Sequence, residues 1–208
     1  MPAPAGPAPV AAVLLAAGES SRMGEAKALL PWTDGRPLLA HQHDTLLQAG
    51  YGPVVVVLGH RARDLRTVVP PDANVVVNPR YTEGRATSIA AGVQALAGGL
   101  AGVLVVSVDQ PRAVGTLRSV REAWERAGRP ALAVPSLEGL PGHPPLFNVA
   151  LRAELEGVTE ERQGLREVVS RHREARLLVP VSDPLTLTNL NTPADYQAAL
   201  AATREAGA

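Results

Sequence analysis

The 208-residue chain contains no cysteine, which excludes a disulfide framework, a thiol nucleophile and any thiolate-bound zinc or iron–sulfur centre. It holds a single lysine, Lys27, because arginine fills every other one of its 20 lysine and arginine positions. Biased codon composition explains an arginine excess in general. It also makes Lys27 the place to look for chemistry that a planar guanidinium performs poorly. Aromatic residues make up 3% of the chain, so its core rests on Ala, Leu and Val. The formal net charge is zero, which removes the global attraction behind nonspecific nucleic-acid binding. No apolar run approaches the roughly 18 residues of a membrane span. No basic residue precedes Arg22, whereas a secretory signal opens with positive charge. The expectation is a cytoplasmic protein without a membrane or nucleic-acid partner.

Hydrophobic residues account for 46% of the chain and charged ones for 19%, enough for a sizeable core. Residues 1–9 are Pro, Ala and Gly after Met1 and read as a disordered tail before one domain over residues 10–203. Short apolar, β-branched runs recur at residues 10–17, 53–58, 74–77, 102–108, 131–135 and 175–181. Strands apolar on both faces belong in a buried, largely parallel sheet. Helical spacing occupies residues 38–49, 62–69, 87–96, 114–127, 165–172 and 193–203. This alternation predicts a doubly wound α/β sheet. Gly50 reads as a helix C-terminal cap, and Thr192-Pro193 as a capping hydroxyl before a first-turn proline. The Pro- and Gly-rich stretch 136–145 reads as a loop over the sheet.

The strongest local signal follows the first expected strand: Leu15, Ala16, Ala17, Gly18, Ser20, Ser21, Arg22, Gly24 and Lys27 lie in a loop of small residues carrying two cations. At the C-terminal edge of a parallel strand, backbone N–H groups of such a loop can face phosphate oxygens, and Arg22 and Lys27 would neutralise them. Its spacing matches neither the P-loop nor the dinucleotide fingerprint. The alternative is an ordinary flexible strand-to-helix connection with solvated charges.

Asp109 ends the run Val103-Leu104-Val105-Val106-Ser107-Val108. Its carboxylate is the hard oxygen ligand that holds Mg²⁺ while substrate phosphates complete the shell, or else it starts a turn. Asn191, in Asn189-Leu190-Asn191-Thr192-Pro193, offers a neutral oxygen to a metal or simply begins a helix. Arg85, Thr87 and Ser88 open another helix, where hydroxyls and N–H groups would meet a base or phosphate, or cap the helix. His143 and Pro144 lie in a loop where they would contact substrate or solvent.

Taken together, these segments resemble the nucleotidyltransferases that make molybdenum cofactor dinucleotides, nearest the cytidylyltransferase branch and with the guanylyltransferases close by. The likeness rests on Leu15-Ala16-Ala17-Gly18 through Lys27-Ala28-Leu29-Leu30-Pro31, Glu83-Gly84-Arg85, Thr87-Ser88-Ile89, Asp109-Gln110-Pro111, Gly142-His143-Pro144-Pro145 and Asn191-Thr192-Pro193-Ala194-Asp195. The resemblance implies a Rossmann-like nucleotide-diphospho-sugar transferase (GT-A-like) fold, a three-layer α/β sandwich with a mostly parallel mixed sheet. It implies an NTP over the first loop, held by Leu15 to Lys27 with Arg85, Thr87 and Ser88, and Mg²⁺ on Asp109 and Asn191. Arg22, Lys27 and Asp109 take the catalytic roles, and His143 and Pro144 the acceptor side. CMP would pass from CTP to the terminal phosphate of a molybdopterin-type acceptor, releasing pyrophosphate, and the product would reach a molybdoenzyme or its chaperone by transient contact. Ala17 resembles the CTP-using enzymes. Asn191, where those usually carry Asp, resembles the GTP-using ones. Residues 158–164 depart from the Gly-Asp-x-Gly stretch usual in the family. A sugar-1-phosphate nucleotidyltransferase and a silent nucleotide-binding module stand as alternatives.

Overall fold

The computed structural model describes residues 8–20 and 23–206. Strands β1 (Val10–Ala16), β2 (Val54–Leu58) and β4 (Gly102–Ser107) are buried almost throughout. Alternate β1 residues serve two separate cores. Ala12 and Leu14 face one core with Leu39, Leu46, Leu117 and Trp124, while Ala11 and Val13 face the other with Ile89, Val93 and Leu155. A strand buried on both faces needs apolar residues at both parities, which is why the sequence shows continuous runs rather than alternation. Helices α1 (Leu38–Gln48), α4 (Val114–Arg126) and α7 (Pro193–Ala206) cover the first face; α3 (Arg85–Gln94), α5 (Arg152–Glu156) and α6 (Leu165–Arg171) cover the second. The short α2 (Ala62–Leu65) joins β2 to β3 (Asn74–Val77).

The sheet has eight strands in the order β3-β2-β1-β4-β7-β5-β6, with β8 (Arg176–Pro180) paired to β5 (Leu132–Leu137). The β1–β2, β1–β4, β2–β3 and β5–β8 pairs are parallel, and β7 (Leu146–Asn148) is inserted antiparallel between β4 and β5. The α/β sandwich with a mixed, mostly parallel sheet is thus the architecture found. The chain runs from β1 outward to β3 and then returns to place β4 on the other side of β1, with Leu15 opposite Ser107. Such a reversal opens a crevice beyond the C-terminal strand ends, where α/β folds bind ligands.

Three expectations are corrected. Residues 136–145 are not simply a loop: β5 continues to Leu137, turns through Glu138 and Gly139, both at positive φ, and returns as β6 (Leu140–Pro141). A two-residue connection with both residues left-handed matches the sheet twist, and Glu-Gly lacks the Asn or Asp that usually advertises it. The helix expected over residues 62–69 stops at Leu65, where Val68 N–H donates to the Leu65 carbonyl in a tighter turn. Strand β3 is half exposed rather than buried, because it is a sheet edge.

The expected caps are present. Tyr51 N–H donates to Leu46 O (3.0 Å) and Gly50 N–H to Leu47 O (2.9 Å), with Gly50 at φ +87°; this pair closes α1 as a Schellman motif. Asp195 N–H donates to Thr192 Oγ1 at 3.2 Å and Thr192 N–H to Asp195 Oδ2 at 2.8 Å, a reciprocal box that starts α7. Among the described residues no helix is long and apolar enough to cross a membrane.

Candidate functional site

The loop after β1 and the turn after β4 meet at the crevice. Ser20 adopts φ +53°, its carbonyl accepts Met23 N–H (2.8 Å) and its hydroxyl accepts Lys27 N–H (3.2 Å). These bonds fold the loop back so that Lys27, at the start of a 3-10 turn (Lys27–Leu29), is buried yet directed at the next strand's end. There its Nζ lies 3.3 Å from Asp109 Oδ2. The Asp109 side chain keeps 26% of its surface exposed, against 10% for Lys27, so the carboxylate is the accessible member. Gly18 and Gly24 are exposed, whereas Leu15, Ala16 and Ala17 are buried, Ala17 so close to Gly59 that a Cβ there would come within 2.9 Å of its methyl. Ser21 and Arg22 lie outside the described residues.

Asn191 comes to the same place through the backbone. Leu190 N–H donates to Asp109 O (2.8 Å), and Gln110 Nε2 donates to Asn189 Oδ1 (2.9 Å). Asp195 Oδ2 accepts Asn191 N–H at 3.0 Å. Hydrogen bonding to Thr192, then to Asn191, with Lys27 nearby, holds the Asp195 carboxyl below its ordinary range. No group of three or more His, Asp or Glu suited to a metal occurs among the described residues. Asp109 could offer one carboxylate, and Asn191, one position from a backbone bond to Asp109, one amide carbonyl, a sparse hard-oxygen set. That set fits Mg²⁺, which keeps several waters and takes further oxygens from substrate phosphates.

Arg112, which the sequence did not single out, ties this region together. It is 4% exposed, and its guanidinium donates to the carbonyls of Pro111, His143, Thr186 and Thr188. Burial pulls it down to about 10, against the pull of Asp183 and Asp109, so it stays charged at neutral pH. His143 is thereby anchored beside the Asp109 turn. Although the residue keeps an exposed surface, its imidazole is pushed down to about 4, by desolvation first and then by Arg112 and Arg85. Pro144 is buried, while Pro145 lines an adjoining cleft with Arg85 and His143.

Thr87 and Ser88 have partners within the protein. Asn78, itself buried, donates to Thr87 Oγ1 (2.8 Å) and Ser88 Oγ (2.9 Å). The N-terminus of α3 is filled as well, because Glu160 Oε1 accepts Ala86 N–H at 2.6 Å. Gly84 makes that possible: at φ +113° a Cβ there would fall 2.3 Å from Glu160 Cγ. Residues 158–164, which depart from the family pattern, therefore supply a carboxylate cap. Arg112 and Glu160 were invisible in sequence because they act on residues distant along the chain, and Asn78 because its partners lie across a turn on the next helix. A separate cavity of about 390 Å³ between α1 and α4 contains neither Lys27 nor Asp109, and its Asp34, Arg36 and Asp44 pair with one another.

With this geometry in place, comparison with known proteins is direct. The MobA-like NTP transferase domain matches residues 12–176. A probable molybdenum cofactor guanylyltransferase of Rhodopirellula baltica is 33% identical over 92% of each chain. The molybdenum cofactor cytidylyltransferase of Escherichia coli K12 is 28% identical over 88% of this chain and 92% of that one. A Mycobacterium tuberculosis H37Rv protein crystallised with manganese superimposes with a TM-score of 0.75 at 25% identity, over 94% of this chain and all of that one. The chain belongs to the MobA-like NTP transferase family and is a nucleotidyltransferase.

Proposed function

We propose that the chain transfers CMP from CTP to the terminal phosphate of a molybdopterin-type acceptor and releases pyrophosphate. The observation carrying this reading is the Lys27–Asp109 pair at 3.3 Å, set at the reversal point between β1 and β4. The triphosphate lies over the loop from Leu15 to Lys27, where exposed Gly18 and Gly24 let phosphate oxygens approach the backbone. Lys27, with Arg22, takes up charge that develops on the α-phosphate and on the leaving pyrophosphate. Asp109 and Asn191 would hold Mg²⁺, which supplies charge neutralisation at the phosphates. The attacking phosphate is already anionic, so the chain needs no general base. Its work is to hold both substrates in line. His143, neutral at pH 7, borders the acceptor side without adding a charge.

GTP is the second reading, favoured by Asn191 and by the 33% identity to the Rhodopirellula baltica protein. The test is pyrophosphate release with Mg²⁺ and each nucleoside triphosphate in turn, with and without molybdenum-loaded molybdopterin. Release with CTP that requires the pterin supports the first reading; a GTP preference replaces it with the second. Silence with the pterin, followed by turnover on a sugar 1-phosphate, overturns both.

A further inference from the structure

A cleft of about 380 Å³ opens between the start of α3, the segment around His143, and α6 with the turn after it. Four arginines line it: Arg85, Arg166, Arg173 and Arg176. No acidic residue lines it. None of the four makes an ion pair or side-chain hydrogen bond among the described residues, although Arg36, Arg121, Arg152 and Arg171 all bind carboxylates. Nearby acids are engaged elsewhere: Glu160 caps α3 beside Arg85, Glu167 pairs with Arg171, and Glu154 with Arg171 and His172. Arg176 Nε is buried with no partner at all. A buried unsatisfied donor on a charged group costs more than a neutral one; Arg85 is balanced in part by Asp109 and Glu160, whereas no carboxylate pairs with Arg173 or Arg176 among the described residues, and an anion between these two would satisfy both. The rest of the lining is mostly apolar, from Pro141, Pro145, Leu165 and Val169, with His143 and Ser170 as its polar members.

Two residues lining the cleft, His143 and Arg85, feel the charge of Asp109. The Arg112 Nε–H bond to His143 O (2.9 Å) fixes one wall three residues beyond Asp109. Arg85, also in the lining, lies within electrostatic reach of Asp109. We propose that this cleft is the acceptor pocket, and that Arg173 and Arg176 select an acceptor bearing a second anionic group at the end away from the phosphate that reacts. The assignment as acceptor pocket rests on the nucleotidyl-transfer reading. The apolar wall accommodates a flat ring between the two anionic ends, and Arg85 with Arg166 meets the reacting end.

Direct binding tests this apart from catalysis. Isothermal titration of the whole protein compares phenyl phosphate, which has one anionic end, with 4-carboxyphenyl phosphate, which has two. The carboxylated compound should bind at least about tenfold tighter, the effect of one charge-assisted hydrogen bond of about 1.4 kcal/mol. In Arg173→Gln/Arg176→Gln that advantage should vanish, while phenyl phosphate and CTP bind as before. If the double variant loses its circular dichroism signal, Arg173→Gln alone must remove at least a threefold advantage. Equal affinities in the wild type, no binding of either compound, or an advantage kept in the variants each overturn the proposal. Failure of the pterin assay with this selectivity intact removes the molybdopterin reading and leaves the two-anion pocket standing.

Discussion

Lys27 Nζ and Asp109 Oδ2 lie 3.3 Å apart although 82 residues separate them in sequence. The only lysine in the chain therefore meets the carboxylate at the end of β4. Lys27→Ala should lower kcat at least about tenfold, because one lost transition-state contact of about 1.4 kcal/mol has that effect. Lys27→Arg should not restore it, since a branched guanidinium does not fit a site where the ammonium is almost enclosed. Steady-state pyrophosphate release measures both; wild-type turnover in the alanine variant would falsify the role.

Asp109→Asn should weaken the response to Mg²⁺ more than it weakens nucleotide binding. A metal titration of activity at saturating nucleotide is the check. An unchanged half-saturating Mg²⁺ concentration removes Asp109 from the metal site.

Arg112 holds three segments through four carbonyl oxygens. Arg112→Met leaves those oxygens without their donor in a buried place, and each unsatisfied group costs about 1–3 kcal/mol. A loss of roughly 3 kcal/mol in urea unfolding is expected, together with a raised KM for the acceptor as His143 comes loose. A loss below about 1 kcal/mol would mean that water replaces the guanidinium.

His143 titrates at about 4 in the folded protein because desolvation, Arg112, Arg85 and Arg166 outweigh Asp109, against 6.5 for a free imidazole. Between those values the unfolded chain binds the proton that the folded one refuses. Stability is therefore intact above about pH 6.5 and falls as the pH drops toward 4. The urea midpoint of His143→Gln should decline less over that window than the wild type's. An imidazole proton resonance titrating near 6.5 would contradict it.

Gly84→Ala forces a Cβ to within 2.3 Å of Glu160 at φ +113°, a conformation costing about 1–3 kcal/mol for a residue with a side chain. Truncating Glu160 as well should recover only the clash. A double-mutant cycle by thermal unfolding separates the two parts.

Local pattern made most of the secondary structure legible. The runs behind β1, β2 and β4 carry their own burial, and the caps at Gly50 and Thr192 act within a few residues. Strand β7 is three residues long and β6 two, too short for any period to declare itself. Helix α5, five residues long, was missed for the same reason. At the site, the loop from Leu15 to Lys27, Asp109 and Asn191 could be picked out because each follows a recognisable strand or precedes a recognisable helix.

What the sequence determined by itself was a chain of short-range choices: both-face apolar strands, capped helices, and small-residue loops at their ends. Tertiary structure alone decided which of these ends met. It placed β4 beside β1, closed Lys27 onto Asp109, buried Arg112 among carbonyls from distant segments, and gathered Arg85, Arg166, Arg173 and Arg176 around one hollow. Arginines scattered along a chain of zero net charge show no pattern in sequence. Their mutual repulsion exists only where packing brings them together, and it is least offset at Arg173 and Arg176, which no carboxylate pairs among the described residues.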